Sequence, residues 1–173
     1  YKLGDYRGWG KMTNYELDVR VPLIISVPDM KGIAGETTQS LAELLDIYPT
    51  LCELTGIATP EFTEGKSLVP LLRDTGAAVR QTAVSQYYRR HEGDQYMGYS
   101  MRTDNYRSVE WRDFETGERK VQELYDHSGA PDSNLGNRET KNLADSSPPE
   151  LLEEFSVLLR STHPAKDLTL TPA

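Results

Sequence analysis

Between residues 21 and 28 the chain reads Val21-Pro22-Leu23-Ile24-Ile25-Ser26-Val27-Pro28, apolar at nearly every position and closed by prolines. A strand of that composition has no polar face to offer water and is expected to be buried on both sides, as inside a helix-covered sheet. The turn Asp29-Met30-Lys31-Gly32 follows, then a short strand expected over Glu36 to Ala42, then helical spacing from Leu44 to Thr55. Leu44, Ile47, Tyr48, Leu51 and Leu54 make one stripe, Pro49 belongs in the first turn, and Gly56 is the expected stop. Ser67 to Leu72 reads as a short helical turn. Strand, loop and helix in this order are an α/β pattern.

From Gln81 the pattern changes. Thr82 to Tyr87, Met97 to Arg102, Tyr106 to Trp111 and Glu123 to Asp126 are short aromatic or β-branched runs. Thr103-Asp104-Asn105 joins two of them as a tight turn, and Glu115 to Glu118 makes another, so an antiparallel meander is expected. Ser147-Pro148-Pro149-Glu150 starts a helix, with Ser as its cap and Leu151, Leu152, Phe155, Leu158 and Leu159 as its stripe. The fold expected is α+β: the end of an α/β domain over 1–75, then a four-stranded antiparallel sheet with a C-terminal helix over 76–173. Beyond His163 a loose tail is expected.

Mean hydropathy is -0.60, polar for a self-contained domain, and the chain opens directly in Tyr1-Lys2-Leu3-Gly4-Asp5 without Met. It reads as cut from a larger protein, with apolar surface left for the missing part to cover. The net charge of -8 argues against nucleic acid or an anionic membrane as partner, because both would be repelled at long range. An anionic substrate needs a local positive pocket, and Lys11 and Tyr87-Tyr88-Arg89-Arg90-His91 are where to look. Cys52 is the only cysteine, so no intrachain disulfide forms; it reads as a buried helix residue. No apolar run approaches the roughly 18 residues of a membrane helix.

Gly10-Lys11-Met12-Thr13-Asn14-Tyr15-Glu16, followed by Val19-Arg20-Val21-Pro22-Leu23-Ile24, resembles the Gly-Lys-x-Thr-x-Tyr-Glu, Arg-x-Pro-strand segment of type I sulfatases, in the alkaline phosphatase superfamily. Three later segments agree in order. Asp46 to Gly56 resembles the Asp-x-x-Pro-Thr helix ending in Gly, Gly65 to Leu72 the Gly-x-Ser-Leu-x-Pro-Leu-Leu segment, and Glu123-Leu124-Tyr125-Asp126 with Glu139 to Ala144 the Glu-Leu-Tyr-Asp, Glu-x-x-Asn-Leu-Ala ending. Ser85-Gln86-Tyr87 and Met97 to Arg107 resemble the iduronate-2-sulfatase-like branch. At one point the chain departs from that branch: Gly4-Asp5-Tyr6-Arg7-Gly8 stands where the branch has Gly-Asp/Glu-His-Gly. A phenol there replaces an imidazole, which bears on leaving-group contacts and substrate choice.

The resemblance implies a sulfuric ester hydrolase acting on a sulfated carbohydrate, with a formylglycine nucleophile and calcium in the full-length protein. Both would come from the missing N-terminal part, so no metal ligand is assigned within this chain and the chain alone is expected to be inactive. Cys52 lacks the Cys-x-Pro-x-Arg string that formylglycine formation needs. Lys11 is the catalytic candidate, because the matching family lysine contacts a sulfate oxygen and a compact ammonium suits a tetrahedral anion. Tyr1, Tyr6 and Arg7 flank that site and are substrate-binding candidates, as is His91 in a polar loop. Glu16 and Arg20 read as an i,i+4 pair that fixes the loop, and His127 and His163 as turn and tail residues. Two other readings stay open: a non-catalytic carbohydrate-binding or interaction module, and a phosphomonoester or phosphonate hydrolase of the same superfamily.

Overall fold

The computed structural model describes residues 2–28, 30, 32, 34–128 and 139–162. Contacts within the chain group residues 1–21 with 84–173 as one compact unit and residues 22–83 as another.

The first unit is built on a sheet in the order β3-β4-β5-β6: β3 (Ala83–His91), β4 (Asp94–Arg102), β5 (Tyr106–Asp113) and β6 (Arg119–Asp126). The expected meander is present, with each strand longer than its aromatic core suggested. Register places Gly98 opposite Trp111, Ser100 opposite Val109 and Arg102 opposite Arg107. On the next pair Arg107 faces Tyr125 and Val109 faces Glu123. Because side chains alternate across a strand, Arg107, Trp111, Glu123 and Tyr125 share one face.

The opposite face carries Tyr99, Met101 and Leu124, which pack with Phe155 and Leu159 of the C-terminal helix (Pro149–Thr162) into the main apolar core. The mixed α+β fold is therefore the expected one: a four-stranded antiparallel sheet with one helix across it. Its entry differs in one detail. Ser147 Oγ donates to the Leu143 carbonyl at 2.8 Å instead of accepting from the first helical turn, because Pro148 and Pro149 leave fewer N–H groups there to cap.

Against the other face lies the N-terminal segment, in which β1 (Lys2–Leu3) pairs with β2 (Trp9–Gly10) and a single helical turn, α1, covers Glu16–Val19.

The second unit turns on Asp46. Its carboxylate accepts from the backbone N–H groups of Glu43 and Lys66, each at 2.8 Å, and from the Arg80 guanidinium. Thr50 Oγ1 accepts from the Leu68 N–H at 2.8 Å. These bonds fasten helix α2 (Ile47–Thr55) to the loop before α3 (Val69–Arg73). Gly56 ends α2 in the left-handed region, at φ 70, as its position predicted.

Two expected strands are absent. Residues 21–28 and 36–42 are irregular, and Ile24 is 89% exposed. A strand exists only with a ladder partner, and among the described residues none pairs with either segment. The apolar stripe of α2 likewise faces outward, with Leu44, Tyr48 and Leu51 all more than half exposed, while Thr50 and Cys52 are buried.

Candidate functional site

The candidate site lies on the N-terminal segment of the first unit. Lys11 follows β2 directly and is exposed. Its loop is held from inside by Lys2, whose buried ammonium donates to the Lys11 carbonyl at 2.9 Å, to Thr13 Oγ1 at 3.1 Å and to Asp18 at 2.5 Å. Lys2 is 3% exposed, so this is a buried ion pair. The Thr13 hydroxyl also donates to the Asp18 carboxylate.

Backbone strain concentrates at the same place. Tyr6, Arg7 and Met12 adopt left-handed φ values of 51, 57 and 46. Such conformations cost a non-glycine residue about 1–3 kcal/mol each and persist only where their surroundings over-determine them.

Behind the loop sits a charged network. Arg107 Nε donates to Glu139 at 2.6 Å, its Nη1 to Ser100 Oγ at 2.7 Å, and its Nη2 to the Glu16 carboxylate. The Glu16 backbone N–H donates to Glu139 at 2.7 Å, and His127 Nε2 lies 3.0 Å from Glu139. Burial, the largest influence on Glu139, pushes its pKa up. The contacts with His127, Arg107 and the Glu16 N–H outweigh it and leave the carboxyl below the ordinary glutamate value.

The three groups Glu16, His127 and Glu139 offer possible ligand atoms within 4.8 Å of one another. They do not fit calcium, which takes about 6–8 oxygens. One of the three donors is an imidazole, and the Arg107 guanidinium already supplies the cation.

An aromatic row continues from this network. Tyr6 stacks on Tyr15 with centroids 4.8 Å apart, and Tyr15 meets Tyr125 edge-on at 5.9 Å. Tyr125 OH donates to Glu123 Oε2 at 2.9 Å, and the Trp111 indole N–H donates to Oε1 of the same carboxylate at 2.9 Å. Burial, reinforced by nearby Glu139, pushes the Tyr6 phenol up to about 12, and burial raises Tyr15 as well. Tyr125 is raised furthest, by burial and then by Glu123. All three phenols are held in their neutral, protonated form.

Of the site residues expected from sequence, Lys11, Tyr6 and Arg7 lie on one short ribbon. Arg7 is exposed; Tyr6 is half-buried against Tyr15, with its hydroxyl accepting from the Glu139 backbone N–H. His91 is at the end of β3, exposed, with Nε2 3.9 Å from Glu92. Tyr1 and His163 fall outside the described residues. Glu16 and Arg20 do pair, at 3.7 Å, although the hydrogen-bonded partner of Glu16 is Arg107. His127, expected as a turn residue, is instead buried in the network, at 4% exposure. A histidine next to a turn sequence carries no local sign of a carboxylate 12 positions on. Sequence reasoning also assigned no role to Lys2, Asp18, Arg107 or Glu139. Arg107 and Glu139 did lie inside family-like strings, which was the available signal.

Residues 4–155 match the family model described as N-sulphoglucosamine sulphohydrolase, C-terminal. The chain belongs to this family. Arylsulfatase K of Xenopus laevis is 29% identical over 163 residues, covering 91% of the chain and 28% of that protein. A sulfatase of Formosa agariphila is 27% identical over 131 residues, covering 76% of the chain and 23% of that protein. A solved structure described as a 2-O GAG sulfatase is 32% identical with a TM-score of 0.49, covering 67% of this chain and 23% of the other. The chain thus spans about a quarter of the length of these relatives. It is a sulfatase C-terminal region, similar to arylsulfatase K.

Proposed function

We propose that these residues are the C-terminal part of a calcium-dependent enzyme that removes sulfate from a sulfated sugar, in the manner of iduronate-2-sulfatase-like proteins. The observation that carries this reading is the presentation of Lys11. Lys11 is an exposed residue on a loop whose backbone is fixed by the buried Lys2–Asp18 pair. Hydrolysis of a sulfate ester develops negative charge on sulfate and leaving oxygens, and a preorganised cation at that point stabilises the transition state more than the ground state. Lys11 holds a sulfate oxygen, with Arg7, Tyr6, Tyr1 and His91 lining the route of the sugar. The nucleophile and the calcium ligands belong to the N-terminal part of the same protein, since the carboxylates found together here are neutralised by Arg107. That missing part also covers Leu23, Ile24 and the outward stripe of α2.

Sulfate release by the full-length protein from a sulfated uronate disaccharide, with and without a calcium chelator, tests the reading. Calcium-dependent release is expected. No release above a heat-killed control, or faster release of phosphate from an aryl phosphate, would overturn it.

A further inference from the structure

We infer that Arg89, held over the indole of Trp111, forms a second subsite that takes the acidic group of a sugar adjoining the one at Lys11. The location follows from the sheet face. Trp111 packs closely against Gly98: a Cβ at Gly98 would stand 2.6 and 2.8 Å from two ring carbons, and 2.5 Å from Asn14 Nδ2. The indole is fixed a second time through its N–H bond to Glu123, which Tyr125 holds in turn. The platform is therefore rigid before any ligand arrives, which removes an ordering cost from binding.

Above it, the Arg89 guanidinium stands 5.7 Å from the ring centroid. Arg80, Arg107, Arg112 and Arg119 each have a carboxylate partner, whereas Arg89 makes no ion pair among the described residues. Its planar fork of donors matches a carboxylate or a sulfate with two parallel bonds. The indole beside it offers apolar surface to the C–H groups of a pyranose ring. In a chain of net charge -8, a cation oriented by an aromatic face and left without a carboxylate is a feature aimed at an anion.

The same contacts tie this pair to Lys11. Asn14, three residues beyond Lys11, lies on Gly98 beside the Trp111 ring, and the Asn14 carbonyl accepts from Ser100 Oγ at 3.5 Å. Tyr15 then meets Tyr125. Loop and platform thus share one face of the sheet. What occupies Lys11 rests on the sulfatase reading; the anion-binding chemistry of Arg89 does not.

The test is titration calorimetry of the full-length protein with a heparin-derived tetrasaccharide, for wild type, Arg89→Gln, Trp111→Phe and Arg90→Gln. Losing the Arg89 guanidinium should weaken binding by roughly tenfold or more, the scale of a charge-assisted hydrogen-bonded contact. Trp111→Phe, which keeps a ring on Gly98, should weaken it less. Arg90→Gln should change it by under about twofold, since that side chain is spent on Tyr88. Repeating the series with carboxyl-reduced tetrasaccharide assigns the anion: loss of the Arg89 effect identifies the uronate carboxylate, and its persistence identifies sulfate. Wild-type binding at Arg89→Gln, an equal loss at Arg90→Gln, or no binding by the wild type would each overturn the inference. Release of sulfate from an aryl sulfate by the wild type is measured on the same preparation. If wild type releases none, the sulfatase reading fails, and the calorimetry still decides the role of Arg89.

Discussion

Arg107 on β5 donates to the carboxylate of Glu16, 91 positions earlier in the chain, and both side chains are buried. This contact, with the Arg107–Glu139 bond beside it, fastens the loop bearing Lys11 to the sheet. Two carboxylates share the Arg107 guanidinium there in low dielectric, so the group with most to lose is that shared cation.

Arg107→Leu should therefore destabilise the protein by about 3–5 kcal/mol, because Glu16 would keep only its longer contacts with Arg20 and Arg102, and Glu139 only His127 and the Glu16 N–H. Arg107→Lys should recover part of this, since an ammonium keeps the charge but cannot span both carboxylates with a fork. Denaturant titration of the three proteins measures it. A loss under about 1 kcal/mol for the leucine variant would mean that water reaches both acids.

Two buried glutamates predict the acid limb of stability. Burial pushes Glu110 up, but its bonds with Ser156 and Arg112 and the nearby Arg119 leave it below the ordinary value of 4.5; Glu139 is lowered similarly. A carboxyl lowered in the folded state contributes stability that is fully present above the unfolded pKa and is lost as pH falls through the folded one. Stability should fall as pH drops below about 4.5, and Glu110→Gln and Glu139→Gln should each flatten that fall while lowering stability at neutral pH. Melting curves from pH 3 to 7 check this, and an unchanged acid limb in both variants would contradict it.

The parts of the fold legible in sequence were those set by local pattern. Tyr106 to Trp111 is an aromatic and β-branched run bounded by turn residues, and Leu151 to Leu159 repeats at helical spacing; strand and helix formed there. Val21 to Pro28 carried an equally strong apolar signal, yet strand formation depends on a neighbour that these residues do not contain. The site was legible only as a motif. Lys11 stood out because of the string around it, whereas Lys2 and Asp18, 16 positions apart, needed the hairpin and α1 in place before they met. Arg89 was visible as part of a basic run, but its pairing with Trp111 depended on strand register.

Gly98→Ala should cost about 1–3 kcal/mol, the scale of overpacking a filled site, although alanine is the better strand residue. The added methyl would meet both the Trp111 ring and the Asn14 amide at under 3 Å, so one must leave the sheet. A lower melting temperature together with a weakened near-ultraviolet tryptophan signal is expected. A variant as stable as the wild type, with that signal intact, would show that the ring does not rest on the glycine.

The last prediction separates the two lysines. In the full-length protein, Lys11→Ala should lower kcat/KM for a sulfate ester by roughly 10²–10³, the scale of losing one preorganised contact to a developing oxyanion. Its exposed side chain leaves the melting temperature little changed. Lys2→Met should do the reverse in stability, lowering it by about 3–5 kcal/mol because Asp18 loses its buried partner. Activity in that variant should fall mainly through the reduced folded fraction and the loosened Lys11 carbonyl. Steady-state rates and melting curves on the same preparations distinguish the two roles. A drop below about threefold for Lys11→Ala would remove Lys11 from the chemistry and leave it as a loop residue.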